Sequence, residues 1–566
     1  MRRVESPSVR RDRRHAGERS LLRLHSCCVK RGDSTVRPAK TKQTKPVEQP
    51  AAANGQNGSN KAADSPAARA VVLGGGISGL AAAFYLKRQA AERGLPLEIT
   101  VVEAQDRLGG RLHTERRGAF LIEKGPDSFI ARKPAILRLT EELGLTAELV
   151  PTNPDAKTSY ILHKGRMHPM PMGFILGIPT KLSPFIRTGL ISPLGKLRAA
   201  LDLVLPKRQD EGDEALGQFI ERRLGREVLE RITEPLLAGI YAGDTRSLSL
   251  EATFPQFKEM ERREGSLIKG MARGSGRTKT NAPGAAVPRK LPAAVQRSMF
   301  LSYKGGLSAL IERLETRLQG TGVRIITGSG ASALSRRTDG KYDVALGSGE
   351  RLIADGVLCA VPAFEAARLL EGESPAAARL RGIDYVSVAN IALAYRTSDL
   401  NIVFERSGFL VPRKEGRLIT ACTWSSTKWK HVAPEDRTLL RTYIGRSGSQ
   451  EWTSMSDEAL IEAARRDLRE LTGLDAEPEW AEVSRCLSAM PQYPVGHAGT
   501  MAEVRSELAD RLPGVLLCGA GYGGVGIPDC IAGGLEASEK LLAKLTERSV
   551  AEIPEAVDPA RHPPNR

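Results

Sequence analysis

Ala70-Val71-Val72-Leu73-Gly74-Gly75-Gly76-Ile77-Ser78-Gly79-Leu80 is the stretch from which the rest of the chain is read. A short apolar run, fit for a buried strand, leads directly into G-x-G-x-x-G on Gly74, Gly76 and Gly79. The spacing predicts a helix over AAAFYLKRQAAERG and a second strand over LEITVVEA, which ends in Glu103, 24 residues after Gly79. This is a βαβ unit with an acidic residue where a ribose 2′-hydroxyl is held. Each glycine has a physical reason: Gly74 permits the tight turn, Gly76 lets backbone approach a pyrophosphate, and Gly79 lets helix and strand pack closely. The helix start offers free N–H groups and the positive end of its dipole to phosphates, so Gly74, Gly75, Gly76, Ile77, Ser78 and Gly79 are the candidate dinucleotide loop. NAD and FAD share this fingerprint.

Two further stretches bear on the cofactor. Arg107-Leu108-Gly109-Gly110-Arg111 follows Glu103; its glycines let backbone run beside a cofactor, and Arg111 can pair with a pyrophosphate. This R-x-G-G-R segment resembles that of FAD enzymes related to amine oxidases and carotenoid desaturases. Near the other end, 514–520 (GVLLCGA) predicts a strand, 521–529 (GYGGVGIPD) a glycine-dense loop, and CIAGGLEASEKLLAKL a helix with Pro528 in its first turn. Backbone N–H groups at that helix start would stabilise negative charge on a reduced flavin.

Composition narrows the alternatives. The chain has 566 residues, 41% hydrophobic and 26% charged, enough to bury a core in two to four domains. No run approaches the ~18 apolar residues of a spanning helix. The net charge of +17 suggests an anionic partner, but residues 1–66 alone hold 15 Lys and Arg against 6 Asp and Glu. That segment lacks apolar periodicity and reads as a disordered basic tail. With no zinc finger, RNP-like aromatic motif or long basic helix, nucleic acid is not an expected partner. Seven cysteines are too sparse for a disulfide framework and form no CxxC, and there is no HExxH, so no metal site is expected. Such cysteine usage fits a reducing cytosol.

The predicted fold is α/β: a Rossmann-like FAD-binding domain of the amine-oxidase type, an interleaved mixed-sheet substrate domain, and a helical subdomain. The FAD domain takes residues 67–130, 297–365 and 505–548. Residues 131–225 read as a helical, membrane-facing subdomain: Met, Phe and Ile between prolines and lysines in MPMGFILGIPTKLSPF suit a membrane surface or a mouth for an apolar substrate, and equally suit plain helical core. The substrate domain takes 226–296, with a flexible loop at 271–296, and 366–504. Residues 549–566 are a second disordered tail.

The chain resembles the porphyrinogen oxidases of the Gram-positive type. The carriers are GGGISGLAAAFYL, VVEAQDRLGGRLHT, EKGPDSF (123–129), HPMP (168–171), GIPTKLSPF, EPLLAGIYAGDTRSLSLEATFPQF, LSYKGGLSALIERL, ACTWSSTKW, MPQYPVGH and GVGIPDCI. The resemblance implies non-covalent FAD held by Gly74 to Gly79, Glu103, Ala104, Arg111, Gly125, Pro126, Asp127, Ser128, Ala331, Cys486, Val525, Gly526 and Ile527. Cys486 stands where a tryptophan is expected, and Gly523 where an acid is common. The implied reaction is oxidation of coproporphyrinogen III to coproporphyrin III in haem biosynthesis. A hydride leaves a ring-bridging carbon and a pyrrole N–H proton departs, over three rounds that reduce three O2 to three H2O2. Protoporphyrinogen IX is the alternative substrate; an amine oxidase, a carotenoid-type desaturase or a porphyrin carrier are readings of other classes. Arg132, Lys133 and Tyr443 are the substrate-pocket candidates, the cations because the substrate carries four propionates. The resemblance also implies a cytoplasmic protein, peripheral at the inner membrane face, with a haem-pathway partner such as a ferrochelatase.

Overall fold

The structure is a computed structural model of the full chain and describes residues 67–156, 158–171, 173–175, 178–179, 182–210, 212–274 and 291–551. The predicted tail 1–66, loop positions 275–290 and the end of the chain from 552 lie outside the described residues.

The first strand of the opening motif, Ala68–Leu73, is the middle of a five-stranded parallel sheet in the order Arg324–Ile326, Leu97–Val102, Ala68–Leu73, Gly356–Cys359, Val515–Leu517. Its strands are apolar almost throughout because both faces are covered. Alternate residues serve opposite layers. Ala70, Val72, Ile99 and Val101 pack under the helices Ile77–Glu92 and Ile527–Ala551. Val71, Leu73, Val357 and Val515 face a three-stranded antiparallel meander (Ala331–Arg336, Tyr342–Leu346, Arg351–Ala354) and the helices Ala363–Leu370 and His497–Arg511. The run VRIITGSGASAL forms two strands. Gly328, at φ +71°, turns the chain between Arg324–Ile326 and Ala331–Arg336. The last helix runs through Ala551, past the predicted boundary at 548.

The substrate layer is a seven-stranded sheet, ordered Trp480–Pro491, Tyr385–Arg396, Arg437–Ile444, Ile419–Trp424, Gly408–Leu410, Tyr160–His163, Arg166–Pro169. All neighbours are antiparallel except Gly408–Leu410 with Tyr160–His163. One face packs Ile391, Leu393 and Leu440 on Leu460, Ala464 and Leu468 of the helix Asp457–Thr472. Ser456 caps that helix, its Oγ accepting from Ala459 N at 3.2 Å. The other face packs Ala392, Ala394 and Leu439 against Ile122 of the hairpin Thr114–Arg117/Phe120–Glu123.

A third core joins Phe185, Phe219, Ile220, Leu224, Leu237, Phe257 and Leu267. Helices from 226 to 274, expected in the substrate domain, share this helical core with those from 182 to 224, because their apolar residues recur at helical spacing and meet the same partners. Strands Tyr160–His163 and Arg166–Pro169, expected in the helical subdomain, extend the substrate sheet. At the centre of the helical core, Arg223 and Asp202 are fully buried and pair at 2.6 Å, a geometry that offsets the cost of desolvating both charges.

Candidate active site

The glycine loop is built as its spacing requires. Gly74 adopts φ +101°, a conformation that favours glycine. A Cβ on Gly74 would lie 2.9 Å from Ala360 O, on Gly75 2.6 Å from Leu108 Cδ2, and on Gly79 1.9 Å from Gly74 O. Those three glycines are small because protein fills the space. Gly76 is different: a Cβ there would meet nothing within 4 Å. Protein packing does not explain a glycine at that position. It leaves a cradle at the start of the helix Ile77–Glu92, whose first N–H groups have no intrahelical partner. A pyrophosphate fits such a cradle.

Glu103 is buried at the end of the second strand; its Oε2 accepts from Gly75 N at 2.7 Å and its Oε1 from Gln105 N at 2.8 Å. Ala104 is exposed beside Gly330, whose missing Cβ would approach the Ala104 Cβ to 3.0 Å. Ala331 follows, its carbonyl accepting from Arg368 Nη2 at 2.7 Å. Glu103, Ala104 and Ala331 therefore share one end of the site.

The R-x-G-G-R segment lies against the loop, with Gly109 N donating to Gly75 O at 2.8 Å. Arg111 Nη2 donates to Leu487 O at 2.8 Å and Ser488 O at 3.3 Å, which ties the segment to the substrate sheet. Gly125 sits where a Cβ would strike Arg111 O at 2.1 Å. The substrate sheet clamps the Lys124–Ser128 loop through Asn390 Nδ2 to Lys124 O (2.7 Å) and Arg441 Nη2 to Gly125 O (2.6 Å). Cys486 Sγ is 3.7 Å from Lys124 O, so the cysteine takes part in the same seam. Asp127 accepts from Lys428 Nζ at 2.8 Å, Trp429 Nε1 at 3.2 Å and Ser128 Oγ at 2.6 Å. Burial opposes its ionisation, but Lys428 and Arg441 outweigh that and hold the carboxyl well below the usual range. Four residues earlier the balance reverses. Burial raises Glu123 to about 7, even though Leu307 N and Thr114 Oγ1 donate to it at 2.8 and 2.9 Å.

The C-terminal loop comes to the same edge of the sheet. Ala520–Gly523 is a short helical turn rather than open loop, and the long helix starts at Ile527. That helix crosses the first one closely enough that a Cβ on Gly534 would lie 2.6 Å from Ser78 O. Gly526 and Ile527 line a cavity of about 110 Å³ with Ser128, Phe129, Ile130, Lys133, Phe300, Pro528 and Asp529. Lys133 Nζ pairs with Asp529 across its mouth at 2.5 Å. Cys530, just inside the helix, has its thiol pushed up to about 11 by burial.

The three substrate candidates are not gathered. Only Lys133 lines the cavity. Arg132 is exposed and has no ion pair among the described residues. Tyr443 lies mid-sheet, its hydroxyl accepting from Thr423 Oγ1 at 3.3 Å and its ring 5.2 Å from the Arg441 guanidinium. The sequence motifs contain, but do not single out, Asp529, Lys428 and Trp429; Asn390 and Arg441 fall outside every motif and carry no local signal.

Comparison with known proteins gives concordant results. The profile of the family described as flavin containing amine oxidoreductase matches residues 77–542. The coproporphyrinogen III oxidase of Bacillus subtilis is 42% identical over 479 residues, covering 84% of this chain and 98% of that protein. Human protoporphyrinogen oxidase is 33% identical over 83% of this chain and 98% of its own length. A crystal structure from Exiguobacterium sp. 255-15 superposes with a TM-score of 0.73 at 37% identity, covering 85% of this chain and 99% of that one.

Proposed function

The chain belongs to the flavin containing amine oxidoreductases, and from that premise we propose that it oxidises coproporphyrinogen III to coproporphyrin III in haem biosynthesis, with dissociable FAD and O2. The observation that carries the reading is the open cradle at Gly76, set between two helix starts from opposite ends of the chain. The chemistry supplied by bound FAD is acceptance of a hydride from the ring-bridging carbon and return of the electrons to O2.

The protein's own residues bind and orient. The helix beginning at Ile77 offers N–H groups to the pyrophosphate, and Glu103, Ala104 and Ala331 flank the adenosine side. The helix beginning at Ile527 directs its N–H groups toward the opposite end, where negative charge develops on reduction. Cys530 supports non-covalent binding, because a thiol held neutral by burial is a poor nucleophile. Lys133 is half-exposed at the cavity mouth, so an entering propionate competes with Asp529 for its ammonium. A substrate with four propionates gains more from that exchange than one with two. For peripheral contact with lipid, support comes from Ile186, Leu194, Leu197 and Val204, each exposed on the helical subdomain. No helix among the described residues is long and apolar enough to cross a membrane.

Aerobic turnover of each porphyrinogen by purified protein, followed by porphyrin fluorescence and the flavin absorption spectrum, tests the assignment. The expected result is a yellow protein with higher kcat/KM for coproporphyrinogen III. Equal kcat/KM on both substrates removes the preference, and a colourless preparation that takes up no added FAD overturns the enzyme assignment.

A further inference from the structure

The segment MPQYPVGH contributes no residue to the cofactor site described, yet the structure joins it to the flavin-end loop. Tyr493 is 1% exposed, and its hydroxyl makes two bonds to one short turn. It accepts from Gly524 N at 2.8 Å and donates to Ala520 O. One oxygen therefore bridges the two ends of the turn Ala520–Gly523, immediately before Val525, Gly526 and Ile527. Gly524 is at φ +131°, and a Cβ there would lie 2.6 Å from Asp529 Cβ; the turn's one large side chain, Tyr522, points to Val361 O and does not join its two ends.

The phenol is itself held. His497 stacks on its ring at 4.3 Å with 14° between the planes, and Tyr241 meets it edge-on at 6.4 Å. His497 is buried, and that burial keeps its imidazole neutral down to about 4, so the stack carries no charge at neutral pH. The helix that His497 begins touches the same turn again through Arg505, whose Nη2 donates to Tyr522 O at 3.1 Å. On the far side, Tyr522 Oη donates to Val361 O at 2.7 Å. The turn is thus tied to the helix His497–Arg511 and to the parallel sheet, and among the described residues Tyr493 is the side chain that spans its ends.

We infer that Tyr493, backed by His497, is a positioning residue for the flavin: its hydroxyl sets the width of the turn and so aims the backbone N–H groups of Gly526 and Ile527 at the bound ring. This rests on the FAD reading above and assigns part of that site to a side chain outside the glycine loops. Phenylalanine at 493 keeps the stack but cannot bridge Gly524 N to Ala520 O.

The test compares Tyr493→Phe with Tyr342→Phe. Tyr342 is also fully buried, and its hydroxyl accepts from Gly514 N at 2.8 Å, but it lies in the meander. Both changes remove a buried hydroxyl that serves the backbone. The expected result is FAD affinity weakened on the order of ten-fold in Tyr493→Phe, measured by titrating apoprotein. Its visible flavin circular dichroism is altered, and kcat falls more than KM rises. Tyr342→Phe keeps wild-type affinity, spectrum and kcat. Equal changes in the two variants, or no change in Tyr493→Phe, overturn the inference. If Tyr493→Phe does not fold, His497→Ala carries the test: removing the stacked ring weakens FAD binding about three-fold in the same assay, and unchanged affinity overturns the inference. Wild-type protein that binds no FAD overturns the underlying reading instead, so the two failures are distinct.

Discussion

The glycine loop at 74–79 and the seam at 124–128 both border the proposed cofactor site, but they are made by opposite means. The loop is mainly backbone: missing side chains and N–H groups do the work, with the Glu103 carboxylate and Ala360 packed against it. The seam is remote and charged: Lys428, Trp429, Arg441 and Asn390 reach it from 266 to 316 positions away in the chain. A loop of the first kind depends on excluded volume, whereas a seam of the second kind depends on each buried charge keeping its partner.

The harshest way to break the seam is Lys428→Met, which takes the ammonium from the Asp127 carboxylate. The pair is half-buried and Asp127 keeps the Trp429 and Ser128 donors, so the loss costs about 3 kcal/mol, the low end for a buried pair. In the wild type Asp127 is held ionised below the usual range, so its contribution is present above the unfolded carboxylate value and is lost only as pH falls through its depressed one. The gap between variant and wild type in urea unfolding is therefore largest near pH 7 and closes below about pH 4. A gap independent of pH would show that Asp127 is not the group involved.

The loop breaks by volume instead. Gly79→Ala puts a methyl into Gly74 O and costs roughly 2–3 kcal/mol of overpacking, so apoprotein melting and FAD affinity both fall. Gly76→Ala meets open space, so the apoprotein melts as wild type while FAD affinity falls at least ten-fold. Calorimetry of apoprotein with FAD titration separates the two. A Gly76→Ala variant with unimpaired FAD affinity would remove the pyrophosphate from this cradle.

The same contrast explains what the sequence discloses. The first strand, the glycine loop, the helix and Glu103 are legible because local spacing sets them. The parallel sheet follows, since alternate apolar residues need cover on two faces. The R-x-G-G-R segment is legible as a neighbour of the loop, but not the reach of Arg111 to Leu487 and Ser488. The division of the helical region is not legible, because apolar periodicity shows that a helix is amphipathic but not which neighbour it meets. For the same reason Lys133 is legible as a cation near the site, while its partner Asp529, 396 residues on, is not.

Glu123 sharpens the comparison, since its carboxyl accepts from a hairpin threonine and a helix start, and the charge of Arg441 does not offset its burial. Burial raises it to about 7, so between roughly pH 4.5 and 7 the folded state keeps a proton that the unfolded state releases. Wild-type stability therefore falls as pH rises through that window, on the order of 2 kcal/mol. Glu123→Gln, which retains a neutral polar group, flattens that slope. A slope unchanged in the variant assigns it to another group.

The smallest effect on stability tests where the site ends. Arg132 and Lys133 are adjacent and both exposed, but only Lys133 has a partner, Asp529, at the cavity mouth. An exposed pair contributes about 0–1 kcal/mol, so Arg132→Ala and Lys133→Ala should each unfold within about 0.5 kcal/mol of wild type. Kinetics should separate them. Lys133→Ala raises KM for coproporphyrinogen III severalfold with little change in kcat, because the ammonium contributes to binding rather than to chemistry. Arg132→Ala leaves KM as it was. Equal KM values in the two variants would move the propionate contact away from the cavity between Ser128 and Asp529, and with it the boundary between the cofactor layer and the substrate.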